Sequence, residues 1–404
     1  MSDFAANAFR ALTKPWILRP IFAFLRRFAP IVRIGKRTVI SRYLDVLEVL
    51  ARDGDFTISQ LNGPNIDRHD GPFVLGLDRG TQYDCERALL RDVVRLEDRE
   101  TIAAIVAGEA ARSIAAARTS RRIDVVDGYG RAVAMRVVAR YFGVPETDRG
   151  ELAGWLRDIF WDIFANATGE ATVRVRAQRS TLALRAHLDD VIARRIATKA
   201  SAPSDDVLGR ILALADASRP WLDNDTIRRN MCGMITGTVD NISLFLAHAL
   251  EELMRRPREF ERARAAALAG DRETVRRFVY EAARFNPAAP LLARYVVRDT
   301  VIAAGTRRER HVRAGTTVVL ANISALFDRD GFEDPDSFDP DHDSASLHFG
   351  SGLHRCLGYA INAVVLGELA TVLLGLSALR VPPRPAGIVL REGPFPKRML
   401  VDFA

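Results

Sequence analysis

The ten-residue segment Phe349–Gly358, FGSGLHRCLG, constrains this chain more than any other, because it presents one cysteine as a candidate metal ligand. Its three glycines allow the backbone to turn sharply and to approach a flat partner closely. An apolar run with helical spacing follows Cys356, so the cysteine lies just before a helix N-terminus, where amide groups and the helix dipole favour a thiolate. Such a thiolate suits axial ligation of heme iron, whereas a lone cysteine without this context is usually a buried structural thiol.

The spacing of this segment, Phe-Gly-x-Gly-x-His-x-Cys-x-Gly, resembles the heme-binding loop of the cytochrome P-450 family of heme-thiolate oxygenases. Its six fixed positions are matched by Phe349, Gly350, Gly352, His354, Cys356 and Gly358. The resemblance implies that these residues form the cofactor cradle, with heme b (iron protoporphyrin IX) as the cofactor and Cys356 as the iron ligand. It also implies a mainly α, cytochrome P-450-like fold, in which a large helical body carries small β-sheets near its N-terminal and C-terminal parts.

The cysteines and the charge balance exclude several kinds of site. Cys85, Cys232 and Cys356 are widely spaced, which argues against a disulfide framework or a zinc site and favours a reducing, cytoplasmic location. The net charge is +7, but no basic cluster is interleaved with aromatic residues, so we expect no nucleic-acid partner. A basic surface would instead attract an acidic electron-transfer protein.

The N-terminal segment is basic and aromatic. Residues 4–44 carry nine basic residues and no acidic one. The apolar stretches at 15–18 and 20–25 are far shorter than the ~20 residues of a spanning helix, and no signal-peptide cleavage pattern follows. We interpret residues 1–30 as a lead-in packed on the body of the protein; peripheral membrane contact through 4–44 is the alternative.

Hydrophobic periodicity predicts one helix-rich domain over residues 1–404. Helical patterns run almost continuously from 83 to 285, and another follows Cys356. Residues 56–82 show no period and contain several glycines and prolines, which indicates a loop. The β-like segments are a hairpin at 32–40, with glycine in its turn, and short pieces at 292–297, 300–302 and 316–320.

The longest predicted helix, from about Asn224 to Arg256, is weak at its centre. The residues from 236 to 241 are poor helix formers, and an interior glycine costs ~1 kcal/mol relative to alanine. This pattern indicates either close approach to a ligand, a local bulge, or packing against a neighbouring helix. In the cytochrome P-450 family this position carries small-Gly-x-acid-Thr, whose acid and threonine deliver protons during oxygen activation.

The resemblance makes Gly237, Thr238, Asp240 and Asn241 the candidate catalytic residues. Asp240 supplies the acid, but Asn241 stands where threonine is usual and Thr238 stands where a small residue is usual. An asparagine amide can hold a water molecule, yet it cannot relay a proton as a hydroxyl does. This departure leaves a peroxide-driven peroxygenase or a non-oxygenating heme-thiolate catalyst open as alternatives.

Glu281 and Arg284 are spaced to share one helix face. On composition alone they would form an exposed pair of little energetic consequence. The resemblance implies instead a buried structural pair in the core behind the heme. The third partner in the family is an arginine, and His342 occupies that position here, which predicts a weaker or pH-sensitive network.

Heme carries two propionates, so cationic or hydrogen-bonding side chains should converge on its rim. The resemblance implies His354 and Arg294 for this role. The histidine and arginine that the family shows after the position of Asp78 are missing, but Tyr83 and Arg87 share their four-residue spacing one position later. We include these two as cofactor-binding candidates, although a surface arginine explains Arg87 equally well.

The segments expected to contact substrate are mainly apolar, which predicts an apolar small molecule such as a terpenoid, fatty acid or polyketide-like compound. Apolar residues in these segments are Trp155, Phe160, Trp161, Phe164, Ala288, Ala289, Leu291, Leu292 and Phe395, with Pro394 beside them. The resemblance thus implies a monomeric monooxygenase that uses O2 and electrons from a separate ferredoxin or flavodoxin-type donor. A heme-binding sensor without turnover is the alternative from another class.

Overall fold

Helices form most of the molecule, as the sequence predicts. The computed structural model describes residues 15–166, 169–198, 204–342, 345–382, 390–392 and 395–404. The helices in these ranges are α1 (Pro15–Phe28), α2 (Tyr43–Ala51), α3 (Ser59–Asp70), α4 (Thr81–Val93), α5 (Arg99–Ala117), α6 (Ala132–Arg140), α7 (Leu152–Phe160), α8 (Ala171–Thr198), α9 (Val207–Leu214), α10 (Asn224–Met254), α11 (Pro257–Leu268), α12 (Arg272–Phe285), α13 (Asn322–Ala325), α14 (Ala345–His348) and α15 (Tyr359–Leu374). A π-helical segment precedes α6 (Val125–Arg131) and another follows α7 (Trp161–Ala165).

Short strands form one five-stranded sheet and three two-stranded sheets within the described ranges. The strands are β1 (Ile31–Ile34), β2 (Arg37–Ile40), β3 (Phe56–Thr57), β4 (Arg122–Asp124), β5 (Leu292–Val296), β6 (Thr300–Ile302), β7 (Arg310–Val312), β8 (Thr317–Leu320), β9 (Leu390–Glu392), β10 (Phe395–Arg398) and β11 (Leu400–Asp402). The larger sheet has the order β1-β2-β8-β5-β3, with only β2 and β8 parallel. The predicted hairpin is present, and Gly35 adopts a φ of 60° in its turn.

The 31-residue helix α10 runs through the core and packs against α7, α8, α12 and α15. It begins at Asn224, as predicted, and its N-terminal cap is Asp223, whose carboxylate accepts a hydrogen bond from the Thr226 amide at 2.8 Å. The helix is α-helical throughout, so the weak central residues do not produce a bulge. Packing on both sides compensates for their poor intrinsic propensity.

The loop predicted over residues 56–82 is wrong in its first half, because residues 59–70 form α3. The start of this helix is held by Asp78, whose carboxylate accepts from the Ile58 amide at 2.8 Å and from the Ser59 hydroxyl at 2.6 Å. At its other end, the buried His69 ring contacts Asp162 and Thr181. Long-range polar contacts therefore stabilise a helix that local hydrophobic periodicity does not indicate.

The described part of the N-terminal segment forms α1, which packs on the body of the protein. Phe22 is buried against Ala321 and Ile323, and the Arg26 guanidinium donates to the Ser324 carbonyl oxygen at 3.0 Å. Among the described residues, no helix combines the length and the apolar character needed to cross a bilayer.

Candidate active site

The cysteine loop between α14 and α15 has a conformation that requires its glycines. The Cys356 amide donates to the Phe349 carbonyl oxygen at 2.9 Å, which closes the loop. Gly350 and Gly352 both have a φ of 70°, in the left-handed region that strains other residues. A Cβ on Gly352 would also collide with the Leu50 carbonyl oxygen. Glycine is therefore required at 350 and 352 by the left-handed backbone conformation, and at 352 also by the close approach to α2.

The Cys356 side chain is solvent-accessible yet surrounded at longer range by protein, as expected at the floor of an internal opening. Burial raises the pKa of its thiol, against the opposing effects of the Gly358 amide and the guanidinium groups of Arg87 and Arg355. The Gly358 amide favours the thiolate as predicted, but without a metal burial outweighs it. A metal cation at the sulfur would reverse this balance.

Aromatic side chains support the loop from behind. Phe349 stacks on Phe245 of α10, with ring centroids 6.0 Å apart, and meets Tyr359 of α15 edge-on at 5.3 Å. His348, directly before the loop, donates through Nε2 to the Tyr280 carbonyl oxygen at 3.0 Å. Burial lowers the pKa of His348 to about 4, which keeps its ring neutral near pH 7. The loop is thus anchored to three helices by packing rather than by charge.

Three basic side chains converge beside the loop, from α4, β5 and the loop itself. They are Arg87, Arg294 and His354. The pKa of His354 is lowered to about 4, chiefly by burial and in addition by the positive charges of Arg294 and Arg87. Burial also lowers the pKa of Arg294 to about 10. Arg87 donates to the Arg355 carbonyl oxygen and Arg294 to the Ala293 carbonyl oxygen, both at 2.8 Å, and the buried Arg87 Nε has no hydrogen-bond acceptor. The Asp78 carboxylate is near enough to raise the pKa of Arg294, but burial outweighs it. This surplus of buried donors is suited to an anionic group.

Tyr83 has a different environment from the other cofactor-binding candidates. Its buried hydroxyl donates to the Leu353 carbonyl oxygen at 2.6 Å, and its ring meets the His354 ring edge-on, with centroids 5.7 Å apart. The hydroxyl proton therefore already has an acceptor in the protein. This contact joins α4 to the cysteine loop and orients His354.

Glu281 and Arg284 are both completely buried on α12, and they form a bidentate pair with N···O distances of 2.8 and 2.7 Å. The Arg284 guanidinium also donates to the carbonyl oxygens of Leu326, Pro335 and Ser337. His342 is the third member of this network, as the sequence indicated: its Nδ1 lies 3.3 Å from a Glu281 oxygen and its Nε2 lies 2.6 Å from the Glu333 carbonyl oxygen. The network ties α12 to the segment that leads into the cysteine loop.

The central turn of α10 borders open space. A Cβ placed on Gly237 would meet no atom within 4 Å, and Asn241, one turn later, is exposed. The polar side chains here are satisfied by their own helix: Thr238 donates to the Met234 carbonyl oxygen and Asn241 to the Gly237 carbonyl oxygen, both at 2.8 Å. This turn can therefore approach a ligand closely at glycine while presenting one amide to it.

Asp240 lies apart from this open space, although it is adjacent to Asn241 in sequence. Its side chain is completely buried and pairs with Arg131, at the end of the π-helical segment before α6. Arg131 also pairs with the half-exposed Asp127. The structure brings Gly237, Thr238 and Asn241 together but directs the Asp240 carboxylate elsewhere.

Sequence reasoning did not identify Arg131 as the partner of Asp240, or His69 as a contact of α8 and of the π-helical segment that follows α7. The His69 Nε2 lies 3.0 Å from an Asp162 oxygen and its Nδ1 lies 2.8 Å from the Thr181 hydroxyl. These pairs are separated by about a hundred residues, so no local spacing could indicate them. The one signal available in the sequence was the run of polar residues at 67–70, directly before Gly71.

The apolar residues expected to contact substrate differ in their exposure to solvent. Phe160 and Trp161 are buried and pack against Phe395, with ring centroids 5.9 and 5.6 Å away, so they belong to the core. Phe164 and Leu291 remain accessible, with 39% and 37% of their surface exposed. Pro394 lies outside the described residues.

Comparison with known proteins identifies relatives along most of the chain. The family model described as Cytochrome P450 matches residues 171–374, just over half of the sequence. The cyclomarin C epoxidase CymV of Salinispora arenicola is 27% identical over 332 residues, which cover 81% of this chain and 80% of the relative. The mycinamicin IV hydroxylase/epoxidase of Micromonospora griseorubida is 26% identical, with 83% and 81% covered.

Solved structures share the whole fold. The crystal structure of CalO2 superimposes with a TM-score of 0.81 at 21% identity and covers 96% of both chains. P450 EryK in complex with erythromycin B superimposes with a TM-score of 0.77 at 20% identity, again over 96% of both chains. At these identities the likeness concerns the fold, and it confirms the predicted arrangement of a helical body with small sheets.

Proposed function

This chain belongs to the cytochrome P450 family and is a heme-thiolate monooxygenase, and from that premise we propose how its own residues divide the work. Cys356 ligates the heme iron, and Arg87, Arg294 and His354 bind the propionates. Asn241 faces the substrate. The observation that carries this proposal is the accessible thiol of Cys356 beside the arginines Arg87 and Arg294, of which the buried Arg87 Nε has no hydrogen-bond acceptor.

The residues present fit heme b. A Cβ on Gly237 would meet no protein atom within 4 Å, so a flat group could approach α10 closely there. Gly352, in contrast, has no room for a side chain, because the cysteine loop is packed against Leu50. The buried Arg87 Nε has no acceptor, and the largely buried Arg294 has only the nearby Asp78 to oppose the cost of burying its charge. An additional anion would stabilise both arginines. Two propionates would supply this negative charge. We propose that Tyr83 acts indirectly, by holding the loop through Leu353.

When held by Cys356, heme would supply oxygen activation: one atom of O2 would enter an unactivated C–H bond or a double bond, and the other would be reduced to water by two electrons from the redox partner and two protons. Cys356 contributes electron donation through its thiolate. Asn241 can hold a water molecule at the edge of the open space, and Thr238 positions the preceding turn. Because Asp240 is held by Arg131, we propose that it stabilises the helix turn and influences proton transfer only through that turn.

The relatives are named as hydroxylases and epoxidases, which supports oxygen insertion and gives no support to the peroxide-driven, non-oxygenating or sensor alternatives. By name they act on cyclomarin C and mycinamicin IV. We propose an apolar substrate of terpenoid, fatty-acid or polyketide-like type for this chain. The accessible Phe164 and Leu291 are consistent with that class.

Family members take small-molecule substrates and electrons from redox partners. We propose a separate ferredoxin or flavodoxin-type donor, because an acidic partner would complement the basic surface near the thiol, which includes the exposed Arg355. We further propose one domain, a monomeric state and a cytoplasmic location. A single large hydrophobic cluster that reaches from Ile66 to Phe403 supports the first, and the spacing of the cysteines supports the last.

The test is the absorption spectrum of the reduced protein with carbon monoxide, which distinguishes thiolate from histidine ligation. We expect the thiolate spectrum from the full chain and its loss in Cys356→His. A panel of terpenoids, fatty acids and polyketide-like compounds should then include some that displace iron-bound water and shift the spectrum. A histidine-type spectrum in the unmodified chain would contradict the proposal, and product formation with a ferredoxin system but not with hydrogen peroxide would support it.

A further inference from the structure

Helix α1 presents two different faces, and one of them is already occupied. Phe22 is buried against α13, with Leu18 and Leu25 beside it. The Arg19 guanidinium lies over the Phe327 ring, 4.1 Å from its centroid. The Arg26 guanidinium donates to the carbonyl and hydroxyl oxygens of Ser324. This face holds the helix firmly on the body of the protein.

The opposite face of α1 is apolar and uncovered among the described residues. Ile21, Phe24 and Phe28 recur at helical spacing and expose 48%, 61% and 64% of their surface. The Phe24 and Phe28 rings pack against each other at an angle of 44°, with centroids 4.9 Å apart. Single exposed apolar residues are ordinary, but three large ones on one helix face form a ridge that needs an explanation.

Helix α1 and the hairpin that follows it carry charge of one sign, whereas Asp328 and Asp336 lie near Arg26 on the packed face of the helix. Residues 15–44 contain no acidic side chain. Arg27 is exposed between the two phenylalanines in sequence, and its guanidinium lies 5.5 Å from the Phe28 ring centroid. The hairpin that follows exposes Arg33, Lys36 and Arg37. An occupant of the ridge should therefore offer apolar surface together with negative charge.

We propose that α1 is a peripheral membrane contact, in which Ile21, Phe24 and Phe28 enter the interfacial region of an anionic bilayer while Arg27 binds lipid head groups. A basic amphipathic helix that lies flat, with aromatic residues outward, has the features of an interfacial helix. An acidic electron donor is a poorer occupant, because the helix packs on α13 and Phe327 and not on the cysteine loop. This inference does not depend on the proposed reaction.

The experiment measures co-sedimentation of the full 404-residue chain, loaded with heme, with vesicles of phosphatidylcholine alone or mixed with phosphatidylglycerol. We expect binding to the anionic vesicles, and weakening of roughly tenfold or more in the double variant Phe24→Ser/Phe28→Ser, since two large apolar side chains leave the bilayer. The matched control is Leu96→Ser/Leu268→Ser, which removes two residues that are 55% and 66% exposed elsewhere, and it should bind like the unmodified chain.

Arg27→Gln separates the electrostatic contribution, and it should reduce the preference for anionic over neutral vesicles while the carbon monoxide spectrum stays unchanged. Equal binding by the ridge and control variants would overturn the proposal. So would a failure of the unmodified chain to bind anionic vesicles. A ridge that instead mediates self-association or ferredoxin binding, detected by light scattering or by titration without vesicles, would also overturn it.

Discussion

The two sides of the heme space differ in how completely their polar groups are used by the protein. On the thiol side, Glu281 and Arg284 are completely buried and satisfied by each other and by three backbone carbonyl oxygens. On the α10 side, the Asn241 amide bonds only to the helix that carries it and remains exposed. A substitution on the thiol side should therefore alter the packing of several elements, whereas a substitution at Asn241 on the α10 side should mainly alter contacts with the ligand.

The chain departs from the family pattern on both sides, at Asn241 on α10 and at His342 in the buried network. The cysteine loop keeps all six fixed positions; within it Gly350 and Gly352 have a positive φ, and Gly352 also lies too close to Leu50 for a side chain. Asn241 stands where the family has threonine, and its amide is satisfied within the helix by a hydrogen bond to the Gly237 carbonyl oxygen. Function can therefore vary at α10 while the cradle is retained.

The strongest test of the comparison is Cys356→Ala. We expect loss of the thiolate spectrum and of product formation to background, because no other described residue offers a sulfur ligand on this side of the space. Cys85→Ala is the matched control, since Cys85 is a partly buried thiol on α4, and it should keep both properties. Thiolate ligation that survives in Cys356→Ala would remove the basis for assigning the loop.

The next largest effect is expected for Arg284→Ala, which leaves the Glu281 carboxylate buried without a partner. Breaking a buried pair of this kind costs about 3–5 kcal/mol, so unfolding should occur at lower denaturant and heme incorporation should fall. Glu273 and Arg276 repeat the same spacing on the same helix with Glu273 62% exposed, and Arg276→Ala should cost under about 1 kcal/mol. Similar losses in both variants would mean that burial does not separate the two pairs.

The α10 side should respond in activity and not in stability. We expect Asn241→Thr to raise the fraction of consumed electrons recovered in product severalfold, because a hydroxyl can relay a proton and an amide cannot. The free energy of unfolding should change by no more than about 0.5 kcal/mol, since the side chain is exposed. Asn241→Ala is the control that removes both groups, and a gain there equal to that of threonine would exclude proton relay as the cause.

The last prediction concerns acid stability on the thiol side. Burial lowers the pKa of His348 to about 4, below its ordinary value of 6.5, so the unfolded chain binds more protons between these pH values. Stability should therefore fall as pH is lowered from 6.5 to 4, by at most about 1.4 kcal/mol per pH unit from this group. Urea unfolding of His348→Gln should show a shallower pH dependence, whereas the exposed His311→Gln should leave the slope unchanged.

Much of the cradle could be predicted because its signals are local. Glycine spacing around Cys356 and the three-residue interval between Glu281 and Arg284 are readable within a few positions. The helical body and the N-terminal hairpin also follow from periodicity and turn residues. The segment 59–70 could not be predicted, because Asp78 and the distant Asp162 hold it in a helix that its own residues do not favour.

By itself, the sequence determined the family, and it predicted Cys356 as the iron ligand and the buried pair behind the loop, since each inference depends on residues a few positions apart. Only the tertiary structure decided the ionisation and partners of the side chains. It raised the pKa of the Cys356 thiol through burial, and it assigned Asp240 to Arg131 across 109 residues. Local spacing specifies which residues share a turn or a helix face, but the electric environment of a group depends on what folding brings against it.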